Sequence, residues 1–158
     1  MERNIFLFLF GFFFAQNIIA QQVNETYELT LDGAKNIMAT AIAYAQEHNA
    51  PGAAISIVDA AGTLILLERI DGTFLISSEV SYGKARSAAL FRFPTVKLEN
   101  AINNGRPALL SIDQNSLKGG IPIVYKGKII GGIGVSGAAS AEQDEEIAMA
   151  GLKAHFLQ

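Results

Sequence analysis

The stretch Lys128-Ile-Ile-Gly-Gly-Ile-Gly-Val-Ser136 limits the fold more tightly than any other part of the chain. Alternate residues of a strand point to opposite faces, so Ile129, Gly131, Ile133 and Val135 share one side, and Ile130, Gly132, Gly134 and Ser136 the other. The second side is nearly bare. Glycines in a strand mark a close approach by another backbone or a ligand. The segment 79–92 carries the small residues Gly83, Ala85, Ser87, Ala88 and Ala89 and reads as a helix able to pack on the bare strip. A flat ligand and a neighbouring subunit are the alternative occupants.

Gly132, Gly134 and Gly137 also have the spacing G-x-G-x-x-G. A dinucleotide fingerprint requires a following helix, a second parallel strand and an acidic residue about 20 positions on. Only about one helix of sequence follows Gly137, so a Rossmann unit is not expected, and no Gly-Lys-Ser or Gly-Lys-Thr follows to make a P-loop.

The rest of the chain supplies partners for this strand. Thr30 is placed to cap a helix running to about Asn49, with Ala34, Ile37, Met38, Ala41, Ile42 and Ala45 on one face. Ala53–Val58 and Thr63–Arg69 read as a hairpin around Asp59-Ala60-Ala61-Gly62, with Asp first and Gly fourth as a type I turn prefers. Helices are expected over 78–92 and 94–103. A mostly loop segment with a short strand or turn at 108–112 follows, and then a second hairpin, 121–125 with 128–135. The last helix opens on Ser140-Ala141-Glu142-Gln143, a capping-box pattern. This order predicts a mainly antiparallel sheet with helices on its faces in a single α/β (α+β) domain.

Residues 1–20 are read separately. Ile5–Ala15 is an apolar run holding six of the ten phenylalanines, shorter than the roughly 20 residues a membrane span needs, and it reads as a signal peptide cleaved after Ala20. The expected product is residues 21–158, periplasmic or secreted and not stably inserted in a membrane. The chain has no cysteine, so the domain relies on its core or on self-association. A net charge of −3 with scattered basic residues argues against nucleic acid as a partner. Asn24-Glu25-Thr26 is a glycosylation sequon, relevant only in a eukaryotic secretory pathway.

The stretches SIVDAAGTLILLERIDG, GKARSAALFRFPT, GGIPIVYKGKIIGGIGVSGA and QDEEIAMAG, in this order and spacing, resemble the GlcG/HbpS-like haem-binding family, which also includes the PduO C-terminal domain. The resemblance runs from about Leu29 to the end, with mild departures at Thr73 and Ser81. It implies a five-stranded antiparallel sheet of the profilin or PAS type flanked by helices, and assembly into dimers or octamers. It also implies haem as cofactor, since some members bind haem and some degrade it. Thr95 matches a threonine near the family's ligand site.

Candidate site residues follow from these readings. His48 and His155 are the only histidines and the candidate iron ligands, histidine being the commonest axial ligand of haem; Tyr82 and Tyr125 are further oxygen candidates. Arg69 and Asp71, two apart at the end of a strand, together with Lys84, form either a salt-bridge cluster or a basic pocket for a carboxylate. Thr95, Gly132 and Gly134 complete the expected ligand-binding set. Glu142, Asp144, Glu145 and Glu146 are read as first-turn carboxylates facing a helix dipole rather than as a metal site. Ser136 lacks the G-x-S-x-G context of a nucleophile. The function expected is an exported haem- or tetrapyrrole-binding protein serving uptake, storage or degradation. The alternatives are an enzyme or sensor for a small carboxylic acid of the glycolate type, and an oligomeric scaffold without ligand.

Overall fold

A computed structural model describes residues 25–112 and 115–154. Residues 1–20, read above as a signal peptide, and His155 lie outside the described residues. Helix α1 (Leu31–Glu47) begins where the Thr30 hydroxyl accepts a hydrogen bond from Gly33 N at 3.1 Å, and it buries Ala34, Ile37, Met38, Ala41 and Ala45. Strands β1 (Ala54–Asp59) and β2 (Leu64–Arg69) form the first hairpin. Its turn is tied by Gly62 N donating to Asp59 O at 3.0 Å. Asp59 Oδ1 accepts from Ala61 N and Thr63 N at 2.9 and 2.8 Å, so one carboxylate satisfies two turn amides.

Helices α2 (Ser77–Phe91) and α3 (Val96–Asn103) follow, separated by Arg92 in the left-handed conformation and by Pro94. Strands β3 (Gly120–Tyr125) and β4 (Lys128–Ser136) make the second hairpin, and α4 (Ala141–Gly151) closes the domain. The described residues form an antiparallel sheet of four strands in the order β2-β1-β4-β3. A five-stranded sheet was expected, and the segment nearest to a fifth strand, Pro107–Ser111, is instead a short 3-10 turn. Pro107 has no amide hydrogen and a fixed φ, and Leu109 N and Ile112 N bond to the carbonyls three residues back, leaving these amides no role in a ladder.

The sheet has a helix layer on each face. On one, Ile55 and Ile57 of β1, Ile121 and Ile123 of β3, and Ile133 and Val135 of β4 meet the apolar stripes of α1 and α4. Ile147, Ala148 and Gly151 of α4 are buried, as the helical period predicts. On the other face, Val58 meets Ala85 and Ala89 of α2.

Strand β4 departs from simple alternation. Its pairing with β3 shifts between Ile123 and Val124: Ile123 lies opposite Gly131, but Val124 lies opposite Ile129. Ile130 is the extra residue of this β-bulge, which reverses the phase of the strand. Ile130 therefore joins Ile133 and Val135 in the α1/α4 core, not the face of Gly132 and Gly134 to which alternation assigned it. Ile129 lies near Ala89 and Leu90 on the α2 side.

The α4 cap also differs from a full capping box. Ser140 Oγ accepts from Gln143 N at 3.2 Å as expected, but Gln143 Oε1 accepts from Ala139 N at 2.9 Å, one residue before the position a reciprocal box uses. Gln143 Nε2 donates to His48 O at 3.2 Å and so ties α4 to the end of α1.

Candidate functional site

The bare strip of β4 is covered by α2. A Cβ added at Gly134 would overlap the Ser81 carbonyl oxygen and the Ala85 amide nitrogen, with Ala85 Cα 3.0 Å away. One added at Gly132 would overlap the Ala85 carbonyl oxygen and sit 3.1 Å from Ala89 N. Helix backbone thus rests directly on strand backbone, and no layer of space remains for a flat ligand. Across the same contact, the buried hydroxyls of Ser56 on β1 and Ser81 on α2 share a hydrogen bond of 2.8 Å.

Lys84 is turned toward Asp144 and the end of β4 rather than toward Arg69 and Asp71. It is 2% exposed, and its ammonium donates to Val135 O at 2.8 Å and to Asp144 Oδ2 at 2.9 Å. The other carboxylate oxygen of Asp144 accepts from Ala138 N at 3.0 Å. The pair joins α2, the end of β4 and the first turn of α4. Gly119, with φ +115, lets the chain pass beside it: a side chain there would lie 3.0 Å from both Lys84 Nζ and Asp144 Cβ.

Arg69 and Asp71 are exposed, and among the described residues neither takes part in an ion pair. The expected cluster of Arg69, Asp71 and Lys84 does not form, because the lysine is committed to Asp144. Thr95 is fully buried, and its hydroxyl donates to Leu117 O at 2.7 Å and accepts from Gly120 N at 2.9 Å. With Thr95 N donating to Gly120 O at 2.9 Å, the residue pins the start of α3 to β3, and its hydrogen-bonding capacity is taken up there.

His48 is exposed at the end of α1. Its ring stacks on Tyr44 with centroids 3.7 Å apart, and Nδ1 lies 2.9 Å from Tyr44 O. Tyr82 donates its hydroxyl to Gly62 O at 3.3 Å, and Tyr125 meets Tyr27 edge-on at 5.1 Å. The acidic residues of α4 do more than face a dipole. Besides the Asp144 pair, Lys118 bridges Glu142 and Glu145 at 3.3 and 3.4 Å. The Glu142 carboxyl is held below its usual range, first by a hydrogen bond from its own backbone N–H and then by Lys118 and Ser140. Desolvation pulls the Lys118 ammonium down, but Glu142 and Glu145 outweigh it, so the group stands above its usual value. Among the described residues no group of three or more His, Cys, Asp or Glu could hold a metal ion.

A wide cleft lies on the outer face of α2. Ile76, Glu79, Val80, Gly83 and Arg86 recur every three or four residues along that face. They form one wall of a cleft of about 570 Å³, and Leu110, Ile112 and Asn115 form the other. The second wall sits close because Gly83 has no side chain: a Cβ there would lie 2.8 Å from Asn115 Cβ. Ile76 ends an exposed apolar run in which Phe74 is 74% and Leu75 79% exposed. Sequence reasoning used only the inner, small-residue face of α2 and missed this outer one. The signal was the helical spacing of Ile76, Val80, Gly83 and Arg86 beside an apolar run that no core element claimed.

Comparison with known proteins agrees with the resemblance. The family model described as haem degrading protein HbpS-like matches residues 29–153. Protein GlcG of Escherichia coli K12 is 41% identical over 104 residues, which span 63% of this chain and 78% of GlcG. The corrinoid adenosyltransferase PduO of Citrobacter freundii is 31% identical over 153 residues, 84% of this chain but only 45% of PduO. Among solved structures, an HbpS double mutant from Streptomyces reticuli superposes with a TM-score of 0.76 at 30% identity, covering 83% of this chain and 89% of that one. A PduOC:heme complex gives a TM-score of 0.73 at 29% identity, over 82% and 96%. The match spans nearly all of the described domain, and the chain belongs to the HbpS-like family.

Proposed function

We propose that this protein binds haem or a related tetrapyrrole on the outer face of α2, in the cleft between that helix and the segment around Leu110 and Ile112. One observation carries the placement: this cleft sets Ile76, Val80, Leu110 and Ile112 beside the polar Glu79, Arg86 and Asn115 around about 570 Å³, inside the roughly 300–1,000 Å³ typical of ligand pockets, whereas the glycine strip is closed by helix backbone. The haem named in the family description and in the PduOC structure supports the ligand class. The aliphatic side chains of Ile76, Val80, Leu110 and Ile112 suit the face of a flat ring. Among the described residues the lining contains no histidine, cysteine, methionine or tyrosine, the common axial ligands of haem iron, so ring contact rather than iron ligation supplies the affinity.

Titration of the purified domain with hemin, followed by the Soret band, tests this reading. Leu110 is 67% exposed and outside the core, so Leu110→Asp is expected to weaken binding about tenfold while leaving the thermal melt in place. His48→Ala is expected to leave the spectrum unchanged, and metal-free protoporphyrin IX to bind within about threefold of hemin. Wild-type protein that does not saturate with hemin, or Leu110→Asp that binds as wild type does, would remove haem from this cleft.

The same reading includes export and self-association. Export rests on the apolar run Ile5–Ala15, and self-association on the exposed Phe74-Leu75-Ile76 surface, larger than an ordinary isolated surface residue. Protein recovered from the periplasm or medium is expected to begin at Gln21 by intact mass and to exceed monomer size by light scattering, with Leu75→Asp returning it to monomer. Retention of residues 1–20, or a wild-type monomer, would refute the corresponding half.

A further inference from the structure

We propose that Arg86 is the carboxylate-binding residue of the α2 cleft, selecting ring ligands that carry an acidic side arm; this rests on the reading of the cleft as a ring-binding surface. Four observations point to it. Arg86 lines the cleft beside the apolar Ile76, Val80, Leu110 and Ile112. Its Nε is buried and has no hydrogen-bond partner. Among the described residues no carboxylate pairs with its guanidinium, and Glu79, the acidic residue of the same wall, stands two turns away without an ion pair to it. Its stem is fixed by the β1–β2 turn, where a Cβ on Gly62 would lie 2.9 Å from Arg86 Cγ.

A guanidinium is charged at every working pH and presents donors in a planar fork that matches a carboxylate. A guanidinium lining the cleft beside aliphatic side chains, with no carboxylate paired to it, leaves its charge to be met by an anion that enters the cleft. A purely apolar ring would leave it unmet, whereas a ring with a carboxylate side arm satisfies wall and rim together. Lys84, the other cation on α2 and a candidate for this role, is already neutralised by Asp144 on a different side of the helix.

The test compares hemin with hemin dimethyl ester, in which both carboxylates are capped, in one detergent-containing buffer. Wild-type protein is expected to bind the ester about tenfold more weakly than hemin. Arg86→Gln should bind the two alike, near the wild-type affinity for the ester. Arg86→Lys, which keeps the charge but not the fork, should recover part of the preference. If wild type binds hemin and ester equally, or if Arg86→Gln or Arg86→Lys keeps the full preference, the assignment is overturned while ring binding stands. If wild type binds neither, the cleft reading falls and takes the assignment with it. Should Arg86→Gln not fold, the wild-type comparison and Arg86→Lys give the same decision.

Discussion

Gly134→Ala is expected to lower the unfolding free energy by roughly 3 kcal/mol or more in a urea titration, a large share of the 5–15 kcal/mol that holds a typical domain together. The new methyl would collide with the Ser81 carbonyl and the Ala85 amide, which are backbone atoms of α2. A side chain can rotate away from such a contact; a helix backbone can relieve it only by moving as a body. Lifting α2 also breaks the Ser56–Ser81 hydrogen bond and opens the contact of Val58 with Ala85 and Ala89. Gly127→Ala at the tip of the second hairpin is the control. Gly127 has φ +75 but nothing within 4 Å of an added Cβ, so only the conformational cost of about 1 kcal/mol applies. If Gly134→Ala unfolds within about 1 kcal/mol of wild type, then α2 does not lie on the strip, and the strip returns as a ligand surface.

Lys84→Met is expected to cost roughly 3–5 kcal/mol, because removing one member of a buried ion pair leaves the other charged and uncompensated. Asp144, 6% exposed, would keep only the amide of Ala138, and the Val135 carbonyl would lose its donor. The double variant Lys84→Met with Asp144→Asn should recover part of this loss. It removes the stranded charge while the amide oxygen of Asn can still accept from Ala138 N. Denaturant midpoints for the two single variants and the double variant give the coupling directly. Single effects that sum to the double within about 0.5 kcal/mol would mean that the two groups do not act as a pair. Hemin affinity of the folded Lys84→Met protein should match wild type, since the ammonium faces the β4–α4 junction rather than the outer cleft of α2.

These two expected losses concern residues that look alike in a family motif but become legible in different ways. The glycines could be understood from the strand period alone, which placed Gly132 and Gly134 on one face and demanded a close neighbour. The helix of small residues was also visible as that neighbour. The role of Lys84 was not, because its partner stands 60 residues further along the chain, and Asp144 in isolation looks like any first-turn carboxylate. Thr95 likewise seemed free to meet a ligand until Leu117 and Gly120 were seen to use its hydroxyl.

Local chemistry was therefore readable wherever the interaction closes within a few residues. The Thr30 and Ser140 caps, the Asp59 turn, the two hairpins and the apolar stripes of α1 and α4 all follow from periods and side-chain reach along one short segment. What pairs across the fold required the assembled molecule. The bulge at Ile130 depends on the register between two strands, and one shifted residue exchanges the faces of Ile129 and Ile130. The 3-10 turn at Pro107–Ser111 stands where a fifth strand was expected. The outer cleft exists because the loop bearing Asn115 comes to rest on Gly83, 32 positions earlier in the chain. Hydrophobic period constrains which face a side chain takes but carries no information on which distant group will meet it, and that meeting places Arg86 in the wall of the outer cleft and Lys84 against a carboxylate.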